Sequence, residues 1–391
     1  MSRIAIEPIE TKGIITGKGK ADPWFHGEYG CNLYQGCEHD CLYCDGKSDW
    51  YRMHKEFGTL IKYKANAVKL IRAFFQKKGL VSSKTPKITD FFERVLPKSP
   101  KKTPKFLLGI GGGVCDVYQP TEKKVKLTRR VLELCLEYEV PIFLLTKNAE
   151  VIRRDIPLLC ELNERAFVRI GFSVTLADPD VKKIFEPYSS STEARFQTMK
   201  ELNSLGIEAG GLFLPIIPLI GDTNENIEAI VRRAKWAGAK FLLHGGMTLK
   251  PGHKENFLKT IAEQFPEFLT AYDLMYEKSF SPDPKIYKSS GWRVHELCKK
   301  YNVPEWMPRY VPPGQIAENL LGAAHLWALS FLYYWKKEQK NGERFSKAGY
   351  IINELKRPWS SLDKKPLDKD VMETLSKFKE TGSSPLYETL Y

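Results

Sequence analysis

The sequence predicts an α/β fold with parallel strands, on three observations. Between Phe106 and Gly245 short apolar runs alternate with longer segments. Those longer segments carry apolar residues near helical spacing, as amphipathic helices require. The chain has 391 residues, of which 42% are hydrophobic, enough for a sizeable core. Strands separated by helices pair in parallel through right-handed crossovers, giving an α/β barrel, a partial barrel or an open sheet.

The strand candidates run in order through Tyr29 to Tyr34, Phe106 to Ile110, Pro141 to Leu145, Phe167 to Val174, Glu208 to Pro215 and Lys240 to Leu243. Between them Glu122 to Tyr138 and Thr192 to Leu205 are the clearest helices. The pattern divides the chain into an N-terminal segment 1–27, a core 28–250 and a mainly helical C-terminal extension 251–391. Within the core, 81–105 reads as an irregular basic insertion holding Lys84, Lys87, Lys98, Lys101, Lys102 and Lys105 with four prolines.

The formal net charge of +13 points either to an anionic partner such as nucleic acid or to a solvated lysine-rich surface. The first twenty residues lack the apolar stretch of a signal peptide, so the protein is expected in the cytoplasm. Leu320 to Trp335 is the longest apolar run, but His325 and Ser330 interrupt it. It is also shorter than the roughly 20 apolar residues of a spanning helix, so a buried helix and no membrane contact are expected.

Eight cysteines are too few and too unevenly placed for a disulfide scaffold. Cys31, Cys37, Cys41 and Cys44 fall within fourteen positions, while Cys115, Cys135, Cys160 and Cys298 are scattered. Clustered thiols in a reducing compartment point to metal. Cys37, Cys41 and Cys44, at spacings of four and three, supply three thiolates on a loop with glycine at each end, Gly36 to Gly46. Three thiolates on a four-iron, four-sulfur cluster leave one iron open for another ligand. On spacing alone, zinc held by these cysteines with Cys31 or His39 remains an alternative. Because the loop follows the first strand, it sits at the sheet edge where α/β folds place their sites.

The run Tyr34-Gln-Gly-Cys-Glu-His-Asp-Cys-Leu-Tyr-Cys44 resembles the CxxxCxxC signature of radical S-adenosylmethionine (SAM) enzymes, in the form of the spore photoproduct lyase-like branch. The resemblance continues in order through Asp116-Val-Tyr-Gln-Pro, Leu127-Thr-Arg-Arg, Thr146-Lys147, Phe185-Glu-Pro187 with Arg195, and Pro215-Ile-Ile-Pro218. It covers Gly30 to Gly246. It implies a partial (β/α)6 TIM-type barrel and a 4Fe-4S cluster on Cys37, Cys41 and Cys44. It further implies that the amine and carboxylate of SAM chelate the open iron. An external one-electron reductant of the flavodoxin or ferredoxin type, SAM cleavage and a 5′-deoxyadenosyl radical follow from the same likeness.

By that resemblance Gly109-Ile-Gly-Gly-Gly113 occupies the place of the glycine-rich SAM motif, with Gly111 and Gly112 at its centre. Glycine there lets backbone approach the methionyl amine. Lys147, at a strand end, can meet the SAM carboxylate, and Ser173 is a candidate partner of the ribose or carboxylate. Tyr43 matches the position whose ring lies near the adenine. Asp116 belongs to the same neighbourhood, as do Glu186 and Arg195, either as SAM contacts or as a buried ion pair.

Cys115 marks a departure. The family's hydrogen-donating cysteine stands three residues before the aspartate, where this chain has Gly113, and Cys115 directly precedes Asp116 instead. Cys115 is therefore a candidate donor or a small buried hydrophobe, and thymine-dimer repair by the family's route is not implied. Cys31 is not expected to be a ligand, because a fourth thiolate would block SAM. Cys135 and Cys160 read as core. Trp292, Trp306, Tyr310 and Trp327 are candidates to stack bases. The substrate is then a nucleic-acid base or lesion, with a peptide or small metabolite, or a non-catalytic iron–sulfur or zinc module, as alternatives.

Overall fold

The computed structural model describes residues 4–51, 53–83, 103–111, 114–362 and 367–390. Its strands are β1 (Ala5–Ile9), β2 (Ile15–Thr16), β3 (Tyr29–Cys31), β4 (Tyr34–Gln35), β5 (Leu60–Lys64), β6 (Leu108–Ile110), β7 (Ile142–Thr146), β8 (Val168–Ser173), β9 (Glu208–Ile216) and β10 (Leu242–Gly246). The main sheet has seven strands in the order β10-β9-β8-β7-β6-β3-β2. All its pairs are parallel except β2 with β3. Six parallel strands with helices between them form the partial (β/α)6 barrel. β8 is buried at every position, as expected of a strand covered on both faces.

The first strand candidate is split. β3 ends at Cys31, and Tyr34–Gln35 pairs instead with β5 in a small second sheet, β1-β5-β4. β1 lies in the N-terminal segment and pairs parallel with β5 from Ala5↔Leu60 to Ile9↔Lys64. Neither strand stands out in the sequence, because both are short and only partly buried, with Glu7 and Pro8 in β1 and Lys62 and Lys64 in β5.

The helices of the core are α1 (Ala67–Lys77), α2 (Glu122–Val125), α3 (Leu127–Tyr138), α4 (Ile156–Arg165), α5 (Pro179–Phe185), α6 (Thr192–Ser204) and α7 (Asn224–Trp236). The single helix expected over Glu122 to Tyr138 is broken at Lys126, which takes a left-handed φ of 52°. The buried Glu122 carboxylate accepts the Thr128 N–H at 3.0 Å and the Arg129 N–H at 3.3 Å, capping the otherwise unsatisfied first turn of α3.

Beyond the core come α8 (Lys254–Gln264), α9 (Leu269–Met275), α10 (Pro284–Tyr301), α11 (Ala317–Trp335), α12 (Gln339–Asn353), α13 (Lys369–Thr381) and α14 (Pro385–Leu390). The apolar run is the buried α11, whose polar interruptions are satisfied. His325 meets Ser384 Oγ at 2.8 Å, and Ser330 donates to the Gly342 carbonyl at 2.7 Å. Among the described residues no helix is long and apolar enough to cross a membrane.

The segment after α10 closes the partial barrel. The Pro304 carbonyl accepts the Leu242 N–H on the free edge of β10 at 2.8 Å, while Arg309 donates to the His26 carbonyl at 2.8 Å and reaches Glu28 at 3.1 Å. An exposed strand edge is thereby covered. Leu107, Phe143, Leu212, Phe241 and Leu243 fill the barrel interior together with Met307.

Candidate cofactor site

The cysteine loop is shaped by two glycines and a run of turns. Gly36 has φ +84°, and a Cβ there would lie 2.3 Å from the Leu60 carbonyl oxygen. At Gly46 a Cβ would lie 2.8 Å from the carbonyl oxygen of Val114. Only glycine permits both approaches. Between them Cys37 N–H bonds Phe57 O at 2.9 Å, Cys44 N–H bonds Cys41 O at 3.2 Å and Lys47 N–H bonds Cys44 O at 3.0 Å.

The 116–122 segment docks on this loop residue by residue. Gln119 accepts the Glu38 N–H at 2.9 Å and donates to the Gly36 carbonyl at 3.2 Å. Thr121 N–H donates to Glu38, and the Tyr34 hydroxyl donates to Glu122. His39 and Asp116 complete the seam at 3.1 Å. The Asp116 carboxylate also accepts Thr146 Oγ1 at 2.8 Å, Lys147 N–H at 2.6 Å and Tyr118 N–H at 2.8 Å. Its acceptor sites are thus used within the protein. Burial works against its charge, but His39 and these N–H groups hold it below the usual carboxylate range.

A cavity of about 310 Å³ opens where the loop meets the C-terminal ends of β6 to β10. Cys37, Cys41, Cys44 and Cys115 line it, with Tyr43, Gly111, Asp116, Lys147 and Ser173. Gly111 takes φ +93°. Gly112, Gly113, Lys84, Lys87, Lys98, Lys101 and Lys102 lie outside the described residues. Lys147 Nζ donates to Ser173 Oγ and stands 5.6 Å from the Tyr43 ring centroid.

Glu186 and Arg195 form a buried ion pair behind Tyr43, and neither reaches the cavity wall. Tyr43 Oη donates to Glu186, while Arg195 also donates to the backbone carbonyl of Ser173 at 2.8 Å. Burial would raise the Glu186 pKa, but Arg195 and Lys147 hold it below its usual range. The pair ties the end of β8 to the loop.

Cys31 points into the core and away from the cavity. Cys135 and Cys298 are core, with Cys160 packed against it. Burial pushes the Cys31 and Cys41 thiols up to about 12, and Cys115 likewise. Trp327 is 1% exposed and so offers no face to a base. Tyr310 stacks on Phe167 at 4.4 Å and Trp306 on Trp335 at 5.5 Å, so these rings serve packing.

Several wall residues carried no signal in the sequence. Phe25, Leu145, Leu212, Leu214 and Met247 add apolar surface to the cavity wall. Asp45, next to Cys44, accepts Thr248 Oγ1 at 2.8 Å and Lys250 Nζ at 2.5 Å. That clamp joins the loop to the stretch after β10, and β10 runs past Leu243 to Gly246. The alternating pattern ends there because Gly245 and Gly246 offer no side chain to read.

Three soft thiol donors, close-fitting glycines and a cavity beside them suit an iron–sulfur cluster, with the cation of Lys147 facing the same space. Residues 31–234, over half of the chain, match the Radical SAM superfamily. The chain belongs to that superfamily. This radical SAM protein uses the superfamily's 4Fe-4S cluster and SAM, and works with an external reductant. It is 22% identical over 279 residues to an uncharacterized protein of Mycobacterium tuberculosis, covering 70% of this chain and 75% of that one. An uncharacterized protein of Methanocaldococcus jannaschii is 25% identical over 254 residues, covering 64% and 81%. Among solved structures, a spore photoproduct lyase mutant with dinucleoside spore photoproduct matches with TM-score 0.50 at 15% identity, over 76% of this chain and 79% of that one. At that identity the likeness is one of fold.

Proposed function

We propose that Cys37, Cys41 and Cys44 hold the cluster, that Lys147, Ser173, Gly111 and Tyr43 contact SAM, and that the substrate is a nucleic-acid base or lesion. The reading rests on one observation: these side chains line a single cavity at the C-terminal ends of the parallel strands. Once bound and reduced, the cluster supplies the electron that cleaves SAM into methionine and a 5′-deoxyadenosyl radical.

The chain's own part is positioning and exclusion of water. Lys147 offers a charge-assisted contact to the methionyl carboxylate, while Ser173 shares its ammonium. Asp116, with its acceptor sites filled, acts through His39 and the Lys147 backbone rather than by touching SAM. The buried walls keep bulk water from the reacting atoms. Cys115, on the same wall, carries the hydrogen that would return to a substrate radical.

The apolar surface that Phe25, Leu145, Leu212, Leu214 and Met247 add to the wall suits an uncharged group such as a base. The charge of +13 favours a polyanion around that group, while a flavodoxin- or ferredoxin-type carrier supplies the electrons. The spore photoproduct lyase match, with its dinucleoside ligand, agrees in kind. The test is anaerobic reconstitution, SAM cleavage with dithionite, and binding of single-stranded DNA and RNA at low salt. Cleavage without any nucleic-acid affinity would move the substrate to a peptide or small metabolite.

A further inference from the structure

An aromatic patch lies on the outer side of the cavity wall. Trp50, Tyr51 and Phe280 are 58%, 43% and 40% exposed. The rings of Trp50 and Phe280 meet edge to face at 5.0 Å. Lys250 Nζ stands 5.5 Å from the Trp50 centroid and 5.2 Å from that of Tyr51. Rings this exposed are costly to keep together unless something covers them.

The patch is held rigidly to the cysteine loop. Asp49 N–H donates to the Pro251 carbonyl at 3.2 Å, and Leu249 N–H to that of Phe280 at 2.7 Å. Lys250 links patch and loop through Asp45 at 2.5 Å. Trp50 follows Cys44 by six residues through two short 3-10 turns, Asp45–Lys47 and Asp49–Tyr51. Six residues span about 20 Å at most even when fully extended, and the two turns shorten that reach. Cys37 and Cys41 are buried, so an electron bound for their loop must enter through nearby surface.

We propose that Trp50, Tyr51 and Phe280, with Lys250, form the docking surface for a small acidic one-electron carrier, a flavin or iron–sulfur protein. The proposal rests on Cys37, Cys41 and Cys44 holding the cluster. One electron leaves the carrier and reduces the cluster by one, and no bond is made or broken at the surface. The net charge of +13 steers an acidic partner. Exposed aromatic anchors supply the contact that charge alone does not.

The test is the double variant Trp50→Ser/Phe280→Ser, with Tyr51→Ser as an independent single. Iron content and dithionite-driven release of 5′-deoxyadenosine should match the wild type. The flavodoxin concentration giving half-maximal release should rise by about tenfold, as loss of aromatic anchors implies. Oxidised flavodoxin titrated against the reconstituted protein should lose affinity by a similar factor. Unchanged flavodoxin dependence and affinity in both variants would overturn the proposal. So would weaker binding of labelled oligothymidylate with the flavodoxin response intact, which would make the patch a nucleic-acid platform. Failure of the wild type to release 5′-deoxyadenosine with dithionite would instead strike the cluster assignment.

Discussion

His39 Nε2 lies 3.1 Å from Asp116 Oδ2, and the ring's Nδ1 lies 3.2 Å from the carbonyl oxygen of Tyr188. One residue of the cysteine loop thereby touches both the segment after β6 and the loop after α5. The same carboxylate holds the Lys147 backbone, so the thiol and cationic walls of the cavity share one strut. Asp116→Ala leaves buried donors without acceptors, at about 1–3 kcal/mol each. We expect a clearly lowered melting temperature and reduced iron uptake on reconstitution. Wild-type values for both would show that the strut is dispensable.

Replacing Cys37, Cys41 or Cys44 with alanine should abolish both cluster and SAM cleavage. Cys31→Ala should retain the cluster, because Cys31 is not among the residues that line the cavity with Cys37, Cys41 and Cys44. Iron and sulfide analysis after anaerobic reconstitution separates the two outcomes. Stoichiometric zinc in place of iron would refute the assignment.

Cys115→Ala should keep cluster content and reductive SAM cleavage near wild type, since three other thiols carry the proposed ligation. If Cys115 returns a hydrogen to substrate, the variant instead shifts the products toward species quenched by other donors. Mass spectrometry of products formed in deuterated buffer reads this, because an exchangeable thiol passes on solvent deuterium. An unchanged product and label pattern would leave Cys115 as packing.

Glu305 accepts from His244 at 2.7 Å and His295 at 2.8 Å. Burial would raise its pKa, but these two partners hold it down at about 2, against an ordinary 4.5. A depressed acid contributes stability that is complete above its unfolded pKa and lost as pH falls through the folded one. The window is therefore pH 4.5 down to about 2, and the contribution is about 3 kcal/mol. Glu305→Gln should be less stable at neutral pH, with an acid limb shallower by up to one proton. Denaturant titrations across that window decide it.

Neutralising Lys98, Lys101, Lys102 and Lys105 together should weaken nucleic-acid binding. Every phosphate deprived of its lysine lowers the slope of log K against log salt by about 0.7 to 0.9. SAM cleavage should persist, because these lysines lie outside every motif assigned to SAM. An unchanged slope would make 81–105 a solvated surface only.

The strands from Leu108 to Leu243 were legible because each is a short apolar run next to a helical segment, whereas the end of β10 at Gly245 and Gly246 was not. β1 and β5 were not either, since β1 is short and carries Pro8, and the Ile61-Lys62-Tyr63-Lys64 alternation of β5 spans only four residues. The Lys126 break was also hidden. It depends on Glu122 turning inward to cap α3, and the apolar spacing on either side is the same with or without the kink. For Glu186 and Arg195 the sequence left open a buried pair or SAM contacts; their pairing behind Tyr43 follows from how α5 and α6 pack on β8.

By itself the sequence determined the fold class, the three thiols on one loop and the order of motifs that marks the superfamily. Such features depend on spacing within a turn or on the period of an element, so neighbouring residues encode them. Only the tertiary structure decided that Cys31 turns into the core while Cys115 joins the cavity. It alone brought Asp45 to Thr248 and Lys250, and Phe25 to Phe143. Those pairs are far apart along the chain, and which of them meet is set by sheet order and close packing. Local composition does not carry that information.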